Sequence, residues 1–271
     1  MRTIVHLSDL HFGRVDAPLL DPLVATVAAA RPDVLAVSGD LTQRARGSQF
    51  MEARAFLERL PRPQIVVPGN HDVPLYDVVR RFAAPLRRFR RYITDDPAPL
   101  HLDDEIAVIG LNTARSLTFK GGRLNEDQMR LVQRNFAGLH PSVLRVVVTH
   151  HPFNLPVSAD EDDLVGRASM AMQAFSECGV DLLLSGHLHH THSESTSARY
   201  ELGGYSALVV QAGTATSTRG RGEANSFNVI RLESARIEVD VMRWQPDGGM
   251  FALAGTDVFR REGTEWARAP A

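Results

Sequence analysis

Apolar residues fall along this chain in two rhythms. Short, continuous, β-type runs occur at 3–7, 34–37, 64–67, 106–111, 144–148 and 181–185. Between them lie stretches with helical spacing, at 19–30, 47–60, from Asn125 to about 136, and at 169–178. In the second of these, Phe50, Ala53, Phe56, Leu57 and Leu60 share one face; in the third, Met129, Val132 and Phe136 do. Strand followed by helix and strand predicts βαβ units, whose right-handed crossovers make successive strands parallel. From residue 199 the texture changes to short alternating segments separated by glycine turns, including Gly203-Gly204 and Asp247-Gly248-Gly249. This predicts an antiparallel meander over about 199–262, forming a second sheet packed on the first. No linker or repeat divides the chain, so 1–271 is expected to be one domain, with a tail from Thr264 that frays.

The polar residues of interest stand where the apolar runs end. Ser8-Asp9-Leu10-His11 follows the first run, Ser38-Gly39-Asp40 the second, and Gly69-Asn70-His71-Asp72 the third. Thr149-His150-His151-Pro152 and Gly186-His187-Leu188-His189 follow two later ones. In parallel α/β sheets such ends open onto one edge, where ligands bind. The two-residue spacing of Asp9 and His11 puts both side chains on one side if the backbone there is still extended. Asp9, His11, Asp40, Asn70, His150, His187 and His189 mix hard oxygen donors with imidazoles. They are too many for one four-coordinate ion and suit two ions. His190 and His192 read as outlying residues. The donor types do not separate manganese, iron and zinc.

Composition narrows the setting. The net charge of −2 gives no overall field toward nucleic acid or a membrane, so no stable partner of either kind is expected. One cysteine, Cys178, excludes an internal disulfide. No secretory signal is visible and no run reaches membrane-spanning length, so a cytoplasmic protein is expected. The most basic stretch, 74–93, carries Arg80, Arg81, Arg87, Arg88, Arg90 and Arg91 among apolar residues. It reads as an amphipathic helical segment bent near Pro85, or as a lid beside the site. The acidic stretch 159–166 reads as a solvated loop without chemistry.

As a set, Asp9-x-His11, Gly39-Asp40, Gly69-Asn70-His71-Asp72, His150 and Gly186-His187-x-His189 closely resemble the calcineurin-like metallophosphoesterase superfamily. The resemblance implies a four-layer αββα sandwich of two mixed β-sheets flanked by helices. It implies two metal ions, one on Asp9, His11 and His189, the other on Asn70, His150 and His187, with Asp40 bridging. It makes His71 the catalytic histidine, with Asp72 orienting its ring, and a metal-bound hydroxide the nucleophile. Within the superfamily the spacing looks most like bacterial class III cyclic-nucleotide phosphodiesterases and glycerophosphodiesterase relatives. The implied substrate is a small phosphodiester, cyclic AMP or a broader set. Arg115, His151 and Lys120 are the candidate substrate contacts, and the loops 111–115 and 213–219 candidate pocket walls. The alternatives are a nuclease or lipid-linked pyrophosphate hydrolase, a phosphomonoesterase and, last, a non-catalytic scaffold. Edge strands in the meander are expected to suit a homodimer.

Overall fold

A computed structural model describes residues 1–118, 120–156, 160–218 and 223–270. Arg219 of the predicted pocket wall and Ala159 of the acidic stretch lie outside them. In chain order the strands and α-helices are β1 (Arg2–Leu7), α1 (Leu20–Ala30), β2 (Val34–Ser38), α2 (Gly47–Leu57) and β3 (Gln64–Val67). Next come α3 (Val78–Ala83), α4 (Arg87–Tyr92), β4 (Leu100–Leu102), β5 (Ile106–Gly110), α5 (Glu126–Phe136) and β6 (Leu144–Val148). Then follow α6 (Ala168–Cys178), β7 (Leu182–Ser185), β8 (His192–Ser195), β9 (Leu208–Gln211) and β10 (Ser226–Glu233). The last are β11 (Arg236–Gln245), β12 (Met250–Glu262) and β13 (Glu265–Arg268).

One sheet has the order β13-β12-β11-β10-β1-β2-β3, the other β4-β5-β6-β7-β9-β8. β1, β2 and β3 are parallel neighbours, as are β5, β6, β7 and β9. Continuous apolar runs bury the central strands β2, β5 and β7 on both faces, successive residues pointing to opposite sides. Ile4, Val34, Ala36, Val108, Val146 and Leu184 point into a core between the sheets. Their neighbours Val5, Leu35 and Val37 pack outward on α1 and α2, and Ala107, Val147 and Leu183 on α5 and α6. The result is the expected αββα sandwich.

Three expectations are corrected. The C-terminal meander does not make the second sheet. β10 instead pairs antiparallel with β1 and extends the first sheet, while the second is built from the middle of the chain. β9 leaves the meander altogether and lies parallel to β7. Segment 200–202 forms only an isolated bridge between Leu202 and Tyr205. The tail is not free either, since β13 pairs with β12 and buries Trp266.

Helix boundaries follow local chemistry. Asn125 caps α5 by accepting from the Gln128 amide at 2.9 Å. Gly179 closes α6 in the left-handed region at φ 65°. The basic stretch breaks at Pro85 into α3 and α4, as a proline without an N–H requires. Among the described residues no helix is long and apolar enough to cross a membrane.

Candidate metal centre

The strand ends of both sheets meet at one place. β1, β2 and β3 deliver Asp9, His11, Asp40, Asn70 and His71 from one sheet; β6 and β7 deliver His150, His187 and His189 from the other. Asp9, His11, Asp40, His150, His187 and His189 are all buried. Asp9, His11, Asp40, His187 and His189 have φ of 53°, 50°, 52°, 75° and 63°. This left-handed backbone is uncommon outside glycine, although Asp and His tolerate it better than most. The extended backbone expected at Asp9–His11 is thus interrupted by left-handed residues at both positions, and the two side chains still come together. Hydrogen bonds tie this segment to the neighbouring loop: Asp9 N to Gly39 O at 3.1 Å, His11 N to Asp40 O at 2.9 Å, Phe12 N to Leu41 O at 2.8 Å.

Two donor groups result. In the first, His11 Nε2 and His189 Nε2 stand 3.5 and 3.3 Å from Asp9 Oδ1 and 3.5 Å from each other. Asp9 Oδ1 is buried and accepts no hydrogen bond. In the second, His150 Nε2 lies 3.0 Å from Asn70 Oδ1, and the rings of His150 and His187 are 5.1 Å apart. Asp40 stands between them: Oδ2 is 3.7 Å from His11 Nε2 and Oδ1 is 3.5 Å from His150 Nε2. His150 donates Nδ1–H to Ser38 O at 2.8 Å, which points an Nε2 lone pair at these oxygens. Buried carboxylate oxygens facing imidazole nitrogens at 3.3–3.7 Å are the arrangement a cation resolves. The donor set therefore fits divalent ions.

Charge agrees with this. Burial acts to raise the Asp9 carboxyl, yet His189, His11 and His150 hold it well below the usual carboxylate range. Asp40 is likewise lowered against burial, by His150, His71 and His11. His150 is raised, the Asp40 and Asp9 carboxylates outweighing its burial.

Glycines make room for the close approach. A Cβ on Gly69 would sit 2.2 Å from Asp40 Oδ1, and one on Gly186 would sit 1.8 Å from Ser8 Oγ and 2.7 Å from Asp9 Oδ2. No side chain fits at either position.

His71 is partly exposed at the rim, Nε2 4.0 Å from Asp40 Oδ2. Its Nδ1 bonds Gln43 O at 3.0 Å, and its backbone N–H donates to Asp40 Oδ1 at 2.8 Å. The carboxylate of Asp72 does something else than orient this ring. It accepts from Leu41 N (3.1 Å), Thr42 N (2.9 Å), Thr42 Oγ1 (2.9 Å) and Gly69 N (3.0 Å), tying the Asp40 loop to the Asn70 loop. The Gln43 carbonyl is a partner that orients the His71 ring. Burial and the Asp40 charge push the Asp72 carboxyl up to about 6.

The substrate candidates fare differently. Arg115 donates to Asn112 O (3.2 Å), Ala114 O (3.1 Å) and Gln128 Oε1 (2.8 Å), so its guanidinium is committed to its own loop and to the first turn of α5. His151 lies behind His150 and His187 with both ring nitrogens engaged, by Thr113 Oγ1 and Lys120 O, each at 2.7 Å. Burial and the neighbouring His187 and His150 keep it neutral. Lys120 is exposed, and its contribution here is that backbone carbonyl. His190 and His192 pair with Glu223 and Glu194, away from both donor groups.

The acidic stretch is not without a part. Asp163 Oδ1 is 3.3 Å from His187 Nε2. Nothing in its local sequence distinguishes it from Asp160 or Asp162. Gln43 and Ser38 act through backbone carbonyls, which no side-chain pattern reveals.

A model of the calcineurin-like phosphoesterase family matches residues 2–191. The chain belongs to that family. It is a metal-dependent phosphoester hydrolase by this membership and by its relatives. A cAMP/cGMP dual specificity phosphodiesterase of Mycobacterium tuberculosis is 26% identical over 257 residues, covering 84% of this chain and 75% of that one. A probable cyclic nucleotide phosphodiesterase of Rhodococcus erythropolis is 27% identical over 263 residues, covering 86% and 81%. A dimetal phosphatase from Danio rerio shares the fold, with a TM-score of 0.64 at 15% identity over 88% of this chain and 95% of that one.

Proposed function

We propose that the chain is a phosphodiesterase working with two metal ions on small diesters, cyclic nucleotides first among them. The observation that carries the reading is the carboxylate of Asp40, whose two oxygens face the two donor groups from between them. Asp9, His11 and His189 would hold one ion, and Asn70, His150 and His187 the other. His187 would then turn Nε2 from Asp163 to its ion. Two such ions supply an activated water at neutral pH and positive charge against the phosphoryl oxygens. The side chains do the rest. Asp9 and Asp40 stay ionised where they are buried. His71, with Nδ1–H given to Gln43 O, would pass a proton from Nε2 of the protonated ring to the leaving oxygen. The names of the relatives support the diester. A single free cysteine supports a reducing, cytoplasmic setting.

The test is an initial rate with manganese on two chromogenic compounds that share a leaving group, one a phosphodiester and one a phosphomonoester. The diester is expected to turn over faster, and a chelator to abolish the reaction. Preference for the monoester would overturn the substrate class and leave the metal chemistry standing.

A further inference from the structure

Net charge conceals a segregation. The segment 73–94 holds six arginines and one acid, Asp77, a local excess of five positive charges in a chain whose net charge is −2. Arg80, Arg87, Arg88 and Arg91 converge with Gly47 and Tyr92 around a cleft of about 300 Å³ that no acid lines. Arg80 is paired with Asp77 at 2.6 Å, and Arg88 gives one N–H to Ala45 O at 2.7 Å. Among the described residues Arg87, Arg88 and Arg91 have no carboxylate within ion-pair distance. Like charges gathered without acids cost energy unless something anionic joins them. The cleft floor, Gly47, begins α2, whose dipole adds the same sign.

The same region carries apolar surface that folding leaves uncovered. Tyr76, Val78, Val79 and Phe82 are 77, 61, 80 and 56% exposed, and Leu117 is 83% exposed. These are five of the eleven exposed large apolar residues among those described, and they lie on two segments that Arg81 clasps together. Buried Arg81 donates to Pro74 O at 3.0 Å, Ser116 O at 2.7 Å and Thr118 O at 2.6 Å. Both segments adjoin the metal centre. One follows His71 and Asp72 directly, and the other carries Thr113 and Lys120, which hold His151. Arg44, next to Gln43, lies over the Tyr76 ring at 5.8 Å.

We propose that this face docks on a lipid bilayer bearing anionic phospholipids. The arginine cleft takes a headgroup phosphate, and Tyr76, Val78, Val79, Phe82 and Leu117 enter the boundary between headgroups and acyl chains. Charge alone would suit any polyanion, but the bare apolar side chains beside it suit only an amphiphilic surface. The docking sets the rim of the metal centre, at His71, close to that surface. It holds whichever phosphoester the centre hydrolyses.

The test is sedimentation of the full chain with vesicles of phosphatidylcholine alone and of phosphatidylcholine with one third phosphatidylglycerol. Binding is expected only to the second. The variant R87E/R88E/R91E should weaken it by roughly 10²-fold, each arginine near an anionic surface counting for about fivefold. V79D/F82D should abolish it with the arginines intact. Both variants should keep the wild-type thermal transition and the rate on a soluble chromogenic diester, because none of these residues belongs to the metal centre. Equal binding to both vesicles, or to neither, would overturn the proposal without any variant. Binding that V79D/F82D retains and millimolar pyrophosphate reverses would make the cleft a site for free phosphates, again against docking. Tighter binding to a single-stranded oligonucleotide than to the vesicles would assign the arginines to nucleic acid.

Discussion

His71 divides its two ring nitrogens between structure and chemistry. A backbone carbonyl can only accept, so Nδ1 carries the proton toward Gln43, and Nε2 faces Asp40 at the open rim. Proton transfer by a positioned side chain contributes about 10²–10⁴-fold. His71→Ala is expected to lower kcat by that order while metal content, measured by emission spectroscopy, stays at the wild-type value. Undiminished turnover would remove His71 from the reaction. A second histidine makes a prediction about stability. His6 is fully buried, bonded to Ser38 Oγ at 2.8 Å, and burial lowers its pKa from 6.5 to about 3. The unfolded chain therefore takes up a proton below about pH 6.5 that the folded chain refuses until about pH 3. Stability is complete above 6.5 and falls as pH drops through this window, by a few kcal/mol at most. Comparing thermal transitions of wild type and His6→Gln from pH 7 to 4 isolates this contribution. The gap between them should shrink or reverse on acidification, and a constant gap would refute it.

At the scale of elements, the same device recurs at three strand ends. After β1, β2 and β7 the chain enters the left-handed region at a donor residue, twice in alternation and once singly. Each such residue costs on the order of 1–3 kcal/mol. Loop-to-loop hydrogen bonds offset the cost, including Gly186 N to His150 O at 3.0 Å and His187 N to Asp9 Oδ2 at 3.1 Å. Asp72 belongs to this scaffold, since its four donors lock the loops after β2 and β3 together. Tolerance for added atoms is correspondingly small. In Gly69→Ala the new methyl would meet Asp40 Oδ1 at 2.2 Å and the Asp40 amide at 2.4 Å. Displacing this carboxylate is expected to weaken metal binding by about 10–100-fold, as loss of a supporting contact does. Calorimetric titration with manganese measures it, and wild-type affinity in the variant would show that Asp40 does not need this fit.

For the whole molecule, the centre is where two sheets are joined. Asp9, His11, Asp40 and Asn70 hang from one sheet and His150, His187 and His189 from the other, so an ion held by both clamps the sandwich at one edge. A ligand that binds only the folded chain at about a thousand times its Kd stabilises by roughly 4 kcal/mol. For a chain of this size each kcal/mol moves Tm by about 2–4 °C. Adding a chelator should lower Tm by about 8–16 °C, and Asp40→Ala should start low and respond less. A Tm indifferent to chelation would mean that the sheets carry the edge without metal. The gathering of Arg80, Arg87, Arg88 and Arg91 around one cleft belongs to the same scale; the sequence shows a basic stretch, and the fold decides which of its arginines meet.

Much of this was legible in the residues themselves. Period-two runs and helical spacings are local, so the parallel strands, the capping Asn125 and the break at Pro85 followed from them. The seven donors could be picked out because each follows an apolar run, and the fold places every one at the same edge. The meander was misjudged because strand pairing is a contest between distant segments. β10 and the start of the chain satisfy each other's backbone, and no local pattern says which edge of which sheet will be free. The roles of Asp72, Arg115, His151 and Asp163 were undecidable for a related reason. A carboxylate or guanidinium carries the same chemistry whether it faces the reaction or a neighbouring amide. For Asp72, His151 and Asp163 the deciding partners lie tens of residues away: Thr42 thirty from Asp72, Thr113 thirty-eight from His151, His187 twenty-four from Asp163. The sequence by itself determined which groups arrive at the strand ends. Only the tertiary structure decided which of them keep their lone pairs for an ion, because that depends on what else competes for each atom in three dimensions.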